Sequence, residues 1–177
     1  MKSIILVCLG LVFNLSLFAQ ESKDADEALA DKVISNIHGW VLYGVNDYVT
    51  AEVSNGNVLL KGWVHGPGLA RKVEKIVKRT EGVQTVDNQV QETFGSDELV
   101  IGAVRAIYRD QMFAKYFYDV EPPVHVIVMN NKLILAGNVL SSVERNRAEF
   151  LVGFYTSAGG IDNQLNVVSH ELADLEN

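Results

Sequence analysis

The chain has 177 residues, 48% of them hydrophobic, and a formal net charge of −7. The electrostatic field of an acidic chain repels nucleic acid, which argues against nucleic acid as a partner. Binding to an anionic membrane would require a local positive patch on the protein surface. The single cysteine, Cys8, excludes an internal disulfide framework.

Residues 1–19 have the order of a secretory signal peptide. Lys2 precedes an apolar run from Ile4 to Phe18, and Ala19 offers a small residue for cleavage before the polar QESKDADE. The run is shorter than the roughly 20 apolar residues of a spanning helix, so we predict removal of residues 1–19, with a retained anchor as the alternative. No later stretch is long enough to span. Without Lys2, 14 basic residues face 22 acidic ones, a formal charge of −8.

Residues 22–93 predict a helix, two strands, a second helix and a third strand. Asp24 and Glu27 have the spacing of a capping box for the first helix. Asn55-Gly56, between two alternating runs, is the strongest short hairpin signal because both residues tolerate positive φ. The predicted inward-facing residues are Leu29, Val33, Ile34, Ile37, Val49, Ala51, Val53, Val58, Leu60, Val64, Leu69, Val73, Ile76 and Val77.

The second half of the chain repeats the first at a spacing of 75 residues. VSNGNVLLKGWV (53–64) aligns without a gap with VMNNKLILAGNV (128–139), and VDNQVQ (86–91) aligns with IDNQLN (161–166). About forty residues keep this register, which indicates a duplicated domain rather than a repeated motif.

The duplication predicts an α+β fold of two tandem domains with the order α-β-β-α-β. Each would be a three-stranded sheet with two helices on one face. The predicted domains are residues 22–93 and 94–170, with Ser96 as the cap of the next helix and an acidic tail at 171–177. Because cores of this size are only marginally stabilising, we expect the two domains to dock on each other.

The pattern resembles the BON domain, in which V-x-N/D-G-x-V-x-L-x-G-x-V precedes a helix and G-V-x-x-V-x-N-x-[LV]-x-V. Copy one carries VSNGNVLLKGWV and GVQTVDNQVQ, and copy two carries MNNKLILAGNV and AGGIDNQLNVV. Copy two has lost the turn glycine to Asn131 and the Gly-Val pair to Ser157-Ala158. The whole chain is similar to periplasmic proteins of the osmotically inducible, tandem-BON type. That resemblance implies a Gram-negative envelope, no catalysis and, in several members, contact with phospholipid.

No catalytic, metal-binding or cofactor-binding constellation is present in the sequence. The four histidines (His38, His65, His125 and His170) share no i,i+4 spacing and have no cysteine or acidic partner at metal-ligand spacing. His125 has the opposite strand parity to Val124 and Val126, which predicts a solvent-facing side chain. GWVHGPG lacks a following Gly-Lys-Ser/Thr, so it indicates a strand-to-helix turn rather than a phosphate-binding loop. We therefore expect no enzyme activity.

The first helix of copy two is the leading candidate for binding a lipid or protein partner. A spacing of 70 places Leu99, Ala103, Val104 and Ile107 inward, so that the opposite stripe is also partly apolar and carries arginine. Apolar groups beside cations suit a membrane interface, and the BON resemblance places the lipid site on the same element. The predicted site residues are Ile101, Arg105, Tyr108, Arg109, Met112, Phe113 and Lys115. Two alternatives stay open: packing of this stripe on copy one, and a spacing of 71 that turns Tyr108 inward.

Two further surfaces are candidates for contact with a partner. The second helix of copy one carries a positive face, predicted either to hold anionic headgroups or to be solvated: Arg71, Lys72, Lys75, Lys78 and Arg79. Trp63 alternates to the side opposite Val58 and Val64, which favours a contact surface or docking of the two domains.

These patterns favour a periplasmic protein without enzyme activity that binds anionic phospholipid or envelope proteins peripherally. It would need no cofactor and would support envelope integrity under osmotic or similar stress. The alternative function is a chaperone-like protein that holds unfolded envelope proteins.

Overall fold

The computed structural model describes residues 22–116, 119 and 121–168, so the predicted signal peptide and acidic tail lie outside the described residues. The first half contains α1 (22–38), β1 (Tyr48–Ser54), β2 (Asn57–His65), α2 (Leu69–Val77) and β3 (Thr85–Thr93). The second half contains α3 (Asp97–Tyr108), a 3-10 turn (Ala114–Tyr116), β4 (His125–Met129), β5 (Lys132–Ala136), β6 (Asn138–Val139), α4 (Ser142–Tyr155), β7 (Ile161–Asn163) and β8 (Asn166–Val167). Among the described residues, no helix combines the length and apolarity that a bilayer crossing requires.

The first sheet has the strand order β1-β2-β3, with β1 antiparallel and β3 parallel to β2. Asn55 and Gly56 form the two-residue turn at φ of 50° and 75°, which confirms the predicted hairpin. Both helices of this half contribute to one apolar core together with the sheet. Its buried members are Val33, Ile37, Val49, Val58, Leu60, Val64, Val73 and Val77.

The second half repeats this arrangement with a shorter sheet. β4 and β5 pair antiparallel and are joined by a turn at Asn130 and Asn131, whose φ angles are 52° and 61°. β7 pairs parallel with β5. The pairing continues beyond Gly137 as the short parallel ladder of β6 and β8. The described chain is therefore a mixed α+β fold with four α-helices and three-stranded sheets.

The repeated Asp-Asn-Gln motif makes the same hydrogen bonds in both halves. The side-chain amide of Asn88 donates to the carbonyl oxygen of Ala70 at 2.9 Å, and that of Asn163 donates to the carbonyl oxygen of Arg145 at 3.1 Å. In each half the asparagine side-chain oxygen also accepts from the backbone amide two residues on, at 3.2 and 3.3 Å. The motif thus ties the last strand of each half to its second helix, which explains why it occurs twice.

Gly62 and Gly137 occupy equivalent places in the two sheets and cannot be replaced without strain. Their φ angles are 117° and 124°, a region that side chains rarely adopt. A Cβ at Gly62 would overlap the carbonyl oxygen of Tyr48, and one at Gly137 would overlap that of Pro123. In both sheets the close neighbour is backbone of an adjacent chain segment rather than a helix.

The two halves contact each other through the sheet faces that point away from the helices. Tyr48 and Trp63 of the first half pack against a cluster of the second half formed by Ile127, Ile134 and Ala136. His125 lies on the same face of β4 as Ile127, and only 2% of it is exposed. The predicted solvent-facing histidine is therefore wrong, because strand parity separates two faces of a sheet and here both faces are covered.

The start of α1 also differs from its prediction. Residues 22 and 23 are already helical, so Asp24 lies within the helix and the predicted capping box is wrong. Asp26 instead accepts hydrogen bonds from the backbone amides of Asn55 at 2.8 Å and Gly56 at 3.3 Å. The carboxylate therefore fixes the hairpin turn to α1.

Candidate functional site

The inward face of α3 includes the predicted Ala103 and Ile107, and Leu99 and Val104 pack partly buried against the core. Its buried residues are Val100, Ala103, Ile107 and Tyr108. Tyr108 donates its hydroxyl proton to the carbonyl oxygen of Val124 at 2.7 Å and accepts from the Val124 amide at 3.2 Å. Burial raises the pKa of Tyr108 above its usual value. The prediction of an exposed Tyr108 is therefore wrong. Tyr108 faces inward, as the alternative spacing of 71 predicts.

The segment that follows α3 packs against the core of the second half. Phe113 is fully buried in the core and Met112 is half-buried against it, so Phe113 cannot serve as a surface contact and its prediction is wrong. Lys115 is exposed, but its ammonium lies 3.7 Å from the carboxylate of Glu144 and 4.5 Å from the centroid of the Tyr116 ring. Lys115 is thus directed toward α4.

The exposed face of α3 retains three of the predicted site residues. Arg105 and Arg109 are exposed, and so is Ile101, with 46% of its surface accessible. Neither arginine forms an ion pair with any residue that the structure describes. Neither guanidinium group is therefore paired with a described carboxylate.

An open groove of about 410 Å³ runs between α3 and α4. The groove is lined by Gly102, Arg105, Ala106, Arg109, Asp110, Arg147, Leu151 and Tyr155. Arg147 donates to one carboxylate oxygen of Asp110 from Nε at 3.1 Å and from Nη2 at 2.6 Å. This contact holds the pKa of Asp110 below its usual value and fixes the position of Arg147. Three guanidinium groups against one carboxylate make the groove locally positive on an acidic chain.

The outer side of α4 carries exposed aromatic side chains that the sequence analysis did not single out. The exposed fractions are 57% for Phe150, 70% for Phe154 and 64% for Tyr155, and we call these three residues the aromatic ridge. The rings of Phe150 and Phe154 lie 5.9 Å apart and nearly parallel, and Tyr155 meets Phe154 edge-on at 4.9 Å. The Arg147 guanidinium lies 5.5 Å from the Phe150 ring. The ridge therefore borders the positive groove.

The other two predicted contact surfaces differ from this one. Five basic residues are exposed on α2 and at the two positions that follow it: Arg71, Lys72, Lys75, Lys78 and Arg79. Lys78 pairs with Glu74. None of the exposed large apolar side chains of the described residues lies on α2, so its face is basic without an apolar neighbour. Trp63 is half-buried in the contact between the halves, which places it away from the free surface.

A second cavity, of about 260 Å³, lies between the two halves. It is lined by His38, Tyr43, Gly44, Val45, Val104, Tyr108, Tyr116, Asp119, Glu121, Pro122 and His125. His38 and Glu121 approach to 3.4 Å across it. Within the described ranges, no group of three or more metal-binding side chains occurs here or elsewhere.

A family model described as the BON domain matches residues 25–93. No curated protein sequence matches the chain. Among solved structures, the C-terminal domain of CdsD, the structural protein of the type III secretion system of Chlamydia trachomatis, is similar at 11% identity over 79% of this chain and 97% of that chain, with a TM-score of 0.28. A second structure of CdsD from Chlamydia trachomatis is similar at 13% identity over 81% of this chain and 94% of that chain, with a TM-score of 0.30. At TM-scores this low, neither likeness carries an argument about this chain.

Proposed function

We propose that this protein, in which residues 25–93 are a BON domain, is a periplasmic protein with two such domains that associates with the anionic phospholipid of the envelope. The BON family is linked to phospholipid binding. The protein acts by adhesion rather than by catalysis, and it supports envelope integrity under osmotic or similar stress.

The proposal of a second BON domain is supported by the repeated hydrogen bonds. Ala70 and Asn88 in the first half stand 75 positions before Arg145 and Asn163, and the two pairs make the same side-chain-to-carbonyl bond. The two sheets also share the sequence of an antiparallel hairpin followed by a parallel strand. Shared bonds at a constant spacing are the expected result of duplicating one domain.

The single observation that carries lipid binding is the groove between α3 and α4. Arg105 and Arg109 stand in it without ion pairs among the described residues, beside Arg147, which Asp110 holds in place. A guanidinium group binds a phosphate through two parallel hydrogen bonds, so this residue type suits a phosphodiester headgroup. Each basic residue near an anionic surface contributes about 1 kcal/mol, and salt weakens that attraction.

The acidic chain makes the location of these charges decisive. With 22 acidic residues the protein as a whole is repelled by an anionic surface, so only a locally positive face that meets the membrane first produces net attraction. We therefore expect binding in one orientation, with steep loss as the salt concentration rises.

Vesicle flotation tests the proposal with two variants of equal net charge. Arg105→Glu combined with Arg109→Glu reverses the charge of the groove, and Arg71→Glu combined with Lys75→Glu makes the same change on α2. We expect the unmodified protein to float with phosphatidylglycerol vesicles at low salt and not with phosphatidylcholine vesicles.

The groove variant should lose flotation and the α2 variant should keep it. Equal loss in both variants would show that net charge matters and the groove does not. Absence of flotation of the unmodified protein would reject lipid association.

A further inference from the structure

We propose that the aromatic ridge of Phe150, Phe154 and Tyr155 inserts below the phospholipid headgroups, so that the protein penetrates the membrane surface rather than resting on it. This inference rests on the proposed function, since it assumes that the α3–α4 groove binds anionic phospholipid. It assigns a role to α4, whose outer face takes no part in the core.

Phe150 and Phe154 lie on a side of α4 that the fold does not use, and Tyr155 joins them from the groove side at the end of the helix. The core side of α4 is formed by Ala148, Leu151 and Val152. Because an α-helix has 3.6 residues per turn, Phe150 and Phe154 fall on one stripe that is turned away from those residues. Val143, 62% exposed, extends the same stripe toward the start of the helix. A surface helix with a second apolar stripe indicates a second apolar contact.

The rings of the ridge are already ordered against one another. Phe150 stacks on Phe154 at 5.9 Å, and Tyr155 closes the row edge-on at 4.9 Å. Insertion of such a row loses little side-chain freedom, because neighbouring rings already restrict the rotamers. Phenylalanine suits the acyl boundary, and tyrosine with its hydroxyl suits the headgroup level.

The charges beside the ridge favour a membrane over a second copy of the chain. A two-fold pairing through the ridge would bring Arg105, Arg109 and Arg147 of one copy near the same groups of the other. Like charges in a closing interface oppose association, whereas anionic headgroups neutralise them. The groove and the ridge thus form one surface in which cations meet phosphates while the adjacent rings dip about 5–10 Å below them.

Tryptophan fluorescence with phosphatidylglycerol vesicles that carry brominated acyl chains tests the insertion. Phe154→Trp in the full chain places a reporter on the ridge. Phe94→Trp is the matched control, because both phenylalanines are 70% exposed and Phe94 lies in the segment that joins the two halves, away from the ridge. We expect brominated vesicles to remove about half or more of the emission that Trp at position 154 adds, and little of that added at position 94. The two exposed substitutions should leave the thermal unfolding midpoint unchanged.

A second variant removes the ridge without changing charge. Phe150→Ser combined with Phe154→Ser should weaken partition into phosphatidylglycerol vesicles about tenfold or more, and the residual binding should become more sensitive to salt. Weakened partition together with quenching at position 154 alone would support the insertion.

Vesicle binding without quenching at position 154 would overturn the insertion and leave the proposed function standing. Equal quenching at positions 94 and 154 would overturn the assignment to the ridge. Absence of any vesicle binding would overturn both proposals. Dimerisation of the unmodified protein in analytical ultracentrifugation that Phe154→Ser abolishes would show that a second copy covers the ridge, and would also overturn the insertion.

Discussion

Acidification should lower the free energy of unfolding of the protein, because the fold buries His125 between the two halves. The side chain is 2% exposed, and its ring lies 5.3 Å from that of Tyr48 and 6.2 Å from that of Tyr43. Burial lowers the pKa of His125 from 6.5 to about 4, and the neighbouring His38 acts in the same direction. The Nδ1 atom has no hydrogen-bond partner among the described residues. The neutral imidazole is therefore the form that the folded protein keeps.

The sign and size of the effect follow from linkage. The unfolded chain takes up a proton near pH 6.5, whereas the folded chain resists it until about pH 4, so the free energy of unfolding falls as the pH drops between these values. At one unit of pKa per 1.4 kcal/mol, the loss is about 2 kcal/mol at pH 5 and about 3 kcal/mol once both states are protonated. No further loss from this residue is expected below about pH 4.

Urea unfolding at about pH 7.5 and about pH 5 measures this loss, with fluorescence of Trp63 at the contact as the probe. His125→Leu is the control, because leucine fills the site without a titrating group. Asp47 is also buried, which raises the pKa of its carboxyl group and favours the folded protein as the pH falls, but this contribution is common to both chains. We expect the unmodified protein to lose about 2 kcal/mol more than His125→Leu between the two pH values. Equal losses in the two proteins would refute the reasoning.

Three further predictions concern backbone strain and hydrogen bonds in the two halves. Gly62→Ala should lower the free energy of unfolding by at least about 2 kcal/mol, because φ at this position is 117° and the added Cβ would meet the Tyr48 carbonyl. A loss below about 0.5 kcal/mol in urea unfolding would contradict this strain. Tyr108→Phe should cost about 1–2 kcal/mol, because the buried Val124 carbonyl loses its 2.7 Å donor; an unchanged urea midpoint would place Tyr108 at the surface. Asn163→Ala should cost about 1 kcal/mol and speed amide exchange in α4, and unaltered exchange would show that its bonds do not secure the helix.

Local signals in the sequence were sufficient for much of the framework. Asn55-Gly56 specifies a two-residue turn through backbone conformation alone, and Ser96 stands at the predicted N-cap of α3 although its side chain makes no capping bond. The spacing of 75 placed Gly62 and Gly137 in equivalent positions, and both adopt positive φ. Each of these features depends on neighbours within a few residues or on the repeat.

Features that depend on how elements pack were not predictable in the same way. The inward position of Tyr108 was one of these features, although Ala103 and Ile107 are buried as predicted. A helix that is apolar nearly all round is compatible with two spacings, and only packing against the segment at Val124 selects Tyr108 as a buried residue. His125 has the parity of a surface residue, and only the contact between the halves buries it. In both cases the deciding neighbour lies on another element.

The aromatic ridge could have been found from the sequence. Phe150, Phe154 and Tyr155 stand at i, i+4 and i+5 in the predicted second helix of copy two, where the aligned positions of copy one are Lys75, Arg79 and Thr80. The difference is not visible from charge alone, because replacing cations with aromatic side chains leaves a helix that is nearly neutral. An apolar replacement on a solvated face is the signal that distinguishes the copies.

Hydrogen exchange measured by mass spectrometry with and without phosphatidylglycerol vesicles tests the location of the proposed membrane surface most directly. We expect added protection in peptides from α3 and α4, at residues 97–109 and 142–156, and none in the basic helix α2, at residues 69–79. Protection confined to α2, or no change in any peptide under conditions where the protein floats with vesicles, would contradict binding through the α3–α4 groove.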